Sequence, residues 1–426
     1  MVSISMSTIF HLTIFLPSTV RYTELEKTTH FQYFSFRSVL SSNTFVGDEA
    51  DDKVSTVTYK IINAGDASYA VAWNGATTFY STDRKTWRRV LNTSFDKESG
   101  HLTWSFPHTA SQSVQFAYFP PYSYERHLDL ISKCTQSTKA NVYSLGQSLD
   151  GREMECVKVG TGPKPVWIIH RQHPGESMAE FYAEGLLERL LGLNHSASCI
   201  DGIAQKALQL FTFYIVPNMC PDGSVRGHLR TNAIGSNLNR EWAPSSLNDN
   251  AYDAPTLERS PEVYHVLNAM DKTGVDAFLD VHGDEELPFN FLAGAEGCPN
   301  WGDRLKYLQG AFLASYSRAN TDMQIPVGYE IEEPGQGRMN VCSNQISYRF
   351  DCLGVTLEMP FKDCLSNSNP ETGWSPDRAK MLGKSVLDAL VYVEPYLRET
   401  GEFWKDGNSK WENEDKYIAP SSKYQA

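Results

Sequence analysis

From about His127 onward, short apolar runs alternate with stripes at helical spacing, and that rhythm admits few folds. VWIIH (Val166 to His170) is continuously apolar, as a strand buried on both faces must be. Ser177 with Glu180 three residues later predicts a capping box at the start of a helix. Met178, Phe181, Tyr182, Leu186, Leu187, Leu190 and Leu191 then form its apolar stripe, which Gly185 weakens. Leu210 to Val216, Ala277 to Val281 and Gly354 to Leu357 are further buried strands. Ser260-Pro261 and Ser375-Pro376 each open a helix with proline in its first turn. The last helix is expected to bury Met381, Leu382, Val386, Leu387, Leu390 and Val391. Strands alternating with helices over residues 127–398 predict a mixed, largely parallel central sheet with helices on both faces, an α/β fold.

Residues 26–126 follow another grammar. FQYFSFR, VSTVTYKII and VQFAYF are β-prone, with turn residues between them at Asn63–Asp66, Asn74-Gly75 and Ser99-Gly100. They predict a small antiparallel β-sandwich without a catalytic cluster, a module for packing or partner binding. Residues 1–25 are expected to be a poorly ordered leader and 399–426 a polar tail. Two or three domains suit 426 residues. A net charge of −13 argues against a nucleic-acid binder, and no apolar run reaches the length of a membrane span. Eight cysteines without a CxxC pair suggest reduced thiols and a cytoplasmic protein.

The chemistry-bearing residues cluster where strands end. His173-Pro-Gly-Glu176 follows VWIIH, in the strand-to-helix loop where α/β folds place ligands. An imidazole and a carboxylate three residues apart suit one zinc ion, and His282 in DVHGDE is the natural third ligand. Asp280 or Asp284 would orient that imidazole. Glu358, in GVTLEMPF, is placed to be a general base. Arg230, Asn239 and Arg240 lie beyond FTFYIV, and guanidinium groups hold carboxylates and stabilise oxyanions.

The order HPGE, PDG…R…LNREW, DVHGDE, TLE resembles the zinc carboxypeptidases of the M14 family, in particular the cytosolic carboxypeptidase branch with its preceding β-sandwich. The likeness covers nearly the whole chain, and His282 lies 109 positions after His173. It implies a carboxypeptidase-like fold and one Zn2+ held by His173, Glu176 and His282. It further implies Arg230 polarising the scissile carbonyl, Asn239 and Arg240 on the substrate's terminal carboxylate, and Glu358 as base and then acid. The expected substrates are peptide or protein C-termini; cytosolic relatives often remove glutamate, which would need a cation in the pocket, with Arg338 as one candidate and an ordinary surface arginine as the alternative. Digestive relatives use a mobile tyrosine, for which Tyr329 and Tyr348 both stand as candidates. Two other classes fit the same ligand logic: a zinc amidohydrolase of acylated amino acids, and a non-catalytic binding protein that retains the fold.

Overall fold

The computed structural model describes residues 9–14, 30–40, 54–109, 112–193, 200–243 and 252–406. Two four-stranded sheets come first. One contains, in spatial order, β1 (Ile9–Ile14), β3 (Val54–Ile61), β7 (His101–Thr109) and β6 (Ser94–Asp96). The other contains β2 (Ser35–Val39), β8 (Ser113–Ala117), β4 (Thr78–Ser81) and β5 (Arg88–Val90). The pairing is antiparallel except between β1 and β3, which run parallel. β1 lies within the stretch expected as a leader; the rest of that stretch, and residues 407–426 of the expected tail, lie outside the described residues. Alternation along β3 turns Val57, Tyr59 and Ile61 inward and leaves Val54 exposed. Trp104 anchors the core between the rings of Phe34 (5.8 Å) and Tyr59 (5.4 Å).

The second part is built on seven strands: β9 (Ala140–Gln147), β10 (Glu153–Val159), β11 (Lys164–His170), β12 (Phe211–Val216), β13 (Ala277–Val281), β14 (Phe291–Ala293) and β15 (Leu353–Glu358). Their order is β14-β15-β13-β11-β12-β10-β9. The central four are parallel, and β14, β10 and β9 join antiparallel. The helices are α1 (Tyr124–Thr135), α2 (Met178–Leu191), α3 (Gly202–Leu210), α4 (Pro221–Arg226), α5 (Pro261–Thr273), α6 (Asp303–Ala319), α7 (Cys342–Phe350) and α8 (Pro376–Val393). Period-two alternation sends Val166 and Ile168 of β11 into a core with α2, α6 and α8. Trp167 and Ile169 enter a second core, with α5 and α7. Chain order moves from β11 to β12 on one side and to β13 on the other, so β11 marks the switch point where such sheets bind ligands.

Three sequence expectations change. Ser177 does not cap α2 through its side chain; its hydroxyl donates to the Pro120 carbonyl at 2.8 Å. Glu180 is fully buried and bonds Arg171 and His127, both at 2.6 Å, so no capping box forms. Met381 is 54% exposed, whereas Leu382, Val386 and Leu390 do face the core, each burial being worth about 1.5–3 kcal/mol. Gly185 is not a weakness. A Cβ there would sit 2.1 Å from the Lys380 carbonyl oxygen, so glycine is what lets α2 and α8 pack closely.

The two parts share an extensive contact. Phe361, three residues past Glu358, stacks on Tyr118 (4.7 Å between centroids) and meets the edge of Phe119. Lys362 Nζ donates to the Asn74 carbonyl (2.8 Å), and Arg171 Nη1 donates to the Tyr122 carbonyl (2.9 Å). All seven cysteines among the described residues are buried free thiols; Cys199 lies outside them. No described helix is long and apolar enough to cross a membrane.

Candidate metal centre and peptide-binding cavity

β11 ends at His170, and Arg171 then turns with a left-handed backbone (φ 59°), which costs a non-glycine residue roughly 1–2 kcal/mol. Its guanidinium offsets this by bonding the Pro174 carbonyl (2.9 Å), the Tyr122 carbonyl and Glu180. That turn holds the HPGE loop over the sheet. Gly175 N–H donates to the Leu229 carbonyl (2.9 Å), and a Cβ at Gly175 would crowd that same oxygen. The segment carrying Arg230 is thereby held against the loop.

His173, Glu176 and His282 converge, all buried, with one donor atom from each lying within 4.8 Å of the others. Glu176 accepts from His173 Nδ1 (2.6 Å) through one oxygen and from His282 Nδ1 (2.8 Å) through the other. The two Nδ1 atoms are 3.1 Å apart. The far nitrogen of His282 meets Asp280 (2.8 Å), and that of His173 meets the Asn237 side-chain oxygen (3.1 Å). Asp280 also accepts from Gln172 (2.6 Å), whose own oxygen takes the Trp242 indole N–H (2.7 Å). Asp280, not Asp284, therefore orients His282. Asp284 instead accepts from the Tyr329 hydroxyl at 2.5 Å.

Electrostatics asks for a cation here. Burial, with Arg230 nearby, pulls His173 down to about 3, leaving the neutral imidazole that ligates metals. Burial would also lower His282, yet Asp280 and Glu176 together hold it well above its usual value. Positive charge is thus favoured between His282 and Glu176, and two imidazoles plus one carboxylate is a donor set that zinc accepts in catalytic sites. The residues fit the ion.

Glu358 ends β15, is 8% exposed, and its buried Oε2 has no hydrogen-bond partner among the described residues. Burial raises its pKa well above normal, with Glu176 and Asp284 adding to the shift. It lines a cavity of about 440 Å³ with His173, Arg230, Asn239, Arg240, Arg338 and Tyr329. Asn239 Oδ1 accepts from Cys342 N–H (2.9 Å), so its amide NH2 is the end left to meet a carboxylate. Burial, then Arg230 and Arg338, lower the pKa of the Arg240 guanidinium, as crowded cations should. Tyr348, on α7, does not line the cavity, whereas Tyr329 does. Every candidate site residue except Tyr348 is therefore brought to one place. Tyr69, from the N-terminal sheets, also lines this cavity and was not anticipated. Its contact depends on a meeting of distant segments that no local pattern signals.

A doubly wound sheet with an imidazole–carboxylate triad and a nearby carboxylate at its carboxyl edge defines a metal-dependent hydrolase. The chain belongs to the zinc carboxypeptidase family, whose model matches residues 125–375; the cytosolic carboxypeptidase N-terminal domain matches residues 1–119. It is similar to a metallo-carboxypeptidase from Pseudomonas aeruginosa (36% identity, TM-score 0.78, covering 93% of this chain and 96% of that one). The crystal structure of a Shewanella denitrificans protein is also similar (44% identity, TM-score 0.78, covering 92% and 95%). An uncharacterised Zymomonas mobilis protein is 42% identical over 372 residues, covering 87% of this chain and 90% of its own. The chain spans only 44% of the length of human cytosolic carboxypeptidase 6, which it matches at 26% identity. The protein is a metallocarboxypeptidase using one zinc ion, which decides against the amidohydrolase and non-catalytic readings.

Proposed function

We propose that His173, Glu176 and His282 hold the zinc and that the chain removes single residues from peptide or protein C-termini in the cytoplasm. The observation that carries this is the convergence of His173, Glu176 and His282, with His173 lining the same cavity as Glu358. Bound zinc supplies a Lewis acid. Glu358 takes a proton from the attacking water, whose oxygen bonds to the scissile carbonyl carbon. As the C–N bond breaks, Glu358 delivers that proton to the leaving nitrogen. Arg230 donates to the oxyanion that forms on the carbonyl oxygen. Asn239 and Arg240 hold the terminal carboxylate, which restricts cleavage to the last residue because an internal bond leaves them unpaired. Tyr329, at the cavity wall, takes the role of the mobile tyrosine. The likeness of residues 1–119 to a cytosolic carboxypeptidase domain supports both the two-part division near residue 126 and the compartment.

Three guanidinium groups line the cavity beside several carboxylates, Glu285, Glu330 and Glu332 among them; with Arg230 and Arg240 given the roles above, Arg338 is the one left to meet a side chain. Arg338, on the exposed side, is the contact we assign to an acidic side chain on the leaving residue. Zinc-loaded protein and peptides differing only in their last residue test this. Free-acid peptides ending in glutamate should be cleaved at least tenfold faster than those ending in lysine or phenylalanine, and Arg338→Ala should erase the difference. Equal rates for all three would remove the acidic preference, and cleavage of C-terminally amidated peptides at the same rate would remove the Asn239–Arg240 clamp.

A further inference from the structure

The N-terminal sheets deliver one side chain to the peptidase cavity. Tyr69 begins the single turn Ala70–Trp73 and lines the cavity with Arg230, His173 and Glu358. Its backbone is held at both ends by one side chain: Tyr69 N–H donates to Gln32 Oε1 (2.8 Å), and Gln32 Nε2 donates to the Tyr69 carbonyl (3.2 Å). Gln32 is 1% exposed, and its Nε2 also reaches the Tyr118 hydroxyl (3.2 Å). Tyr118 in turn stacks on Phe361, just past Glu358. Ser68 adds a second tie, accepting from Phe31 N–H through its hydroxyl (2.8 Å) and donating its own N–H to the Phe31 carbonyl (3.0 Å). A continuous set of contacts thus runs from the Tyr69 backbone to the end of the strand that carries Glu358.

The phenol faces charge. The Arg230 guanidinium exerts the largest electrostatic pull on the Tyr69 phenol, ahead of Glu285, Glu176 and Asp284. Burial pushes the Tyr69 phenol up to about 12 against the pull of Arg230, so it keeps its proton at neutral pH and is a donor.

We propose that Tyr69 is a substrate-binding residue of the peptidase site, its hydroxyl donating to the same peptide carbonyl oxygen that Arg230 engages, so that the N-terminal domain completes the active site. This rests on the role given above to Arg230. An oxyanion shared by two donors is stabilised more than by one, and a donor on a pre-positioned turn needs little reorganisation.

Tyr69→Phe keeps the ring and removes only the hydroxyl. In the zinc-loaded full chain it should lower kcat/KM on free-acid peptides at least tenfold, chiefly through kcat, with zinc content and melting temperature unchanged. A phosphonate peptide, whose phosphoryl oxygen stands for the oxyanion, should bind Tyr69→Phe at least tenfold more weakly by calorimetry. Combining it with Arg230→Ala should cost less than the product of the two separate losses. Turnover and phosphonate affinity within twofold of the parent would overturn the proposal. So would a loss of activity accompanied by loss of zinc or a lowered melting temperature, since packing would then account for it. A loss in Tyr69→Phe with Arg230→Ala fully active would retain Tyr69 as a donor and dismiss Arg230 alone.

Discussion

Glu358→Gln should abolish turnover, by at least about a thousandfold, while the protein still binds one zinc ion; positioned acid–base groups are typically worth about 10²–10⁴ in rate. The side chain is 8% exposed at the end of β15, and glutamine matches its shape, so the β15–β13 pairing has no reason to shift. The lost capacity is proton transfer. A carboxylate can take a proton from water and return it to the leaving nitrogen, and an amide cannot. Fold stability should not fall, because the glutamine side chain fills the same space at this buried strand end. Single-turnover cleavage with parallel metal analysis separates the two effects. Activity within tenfold of the parent would take Glu358 out of the base role.

His282→Ala should lose the metal and with it all turnover. The imidazole joins Glu176 on one side and Asp280 on the other, both at 2.8 Å and all buried. Its removal leaves two buried carboxylates without that partner. Breaking a buried pair of this kind typically costs about 3–5 kcal/mol, so a lowered melting temperature should accompany the loss of zinc. Gln172 still donates to Asp280 at 2.6 Å, which keeps one of the two carboxylates partly satisfied. Unchanged zinc stoichiometry in the variant would exclude His282 as a ligand.

The sheet and its ligand-bearing ends were readable because buried parallel strands leave continuous apolar runs. His173, His282 and Glu358 each stand at or just beyond such a run. Features set by distant partners were not readable. Ser177 has the right neighbours for a cap, but the Pro120 carbonyl, from a segment 57 residues earlier, claims its hydroxyl. Gly185 looks like a flaw in a helix until α8 lies against it. The pair Tyr329 and Tyr348 is separated only by folding, which brings the first to the cavity and leaves the second on α7. The sandwich offered no catalytic pattern, and Tyr69 reaches the cavity only through the contact between the two parts of the chain.

Anomalous diffraction at the zinc edge, on crystals of the metal-loaded protein, tests the central claim most directly. One peak is expected about 2.0–2.2 Å from His173 Nδ1, His282 Nδ1 and a Glu176 oxygen, the usual reach of zinc to such donors. A peak bound by other residues, with these three side chains left uncoordinated, would contradict it.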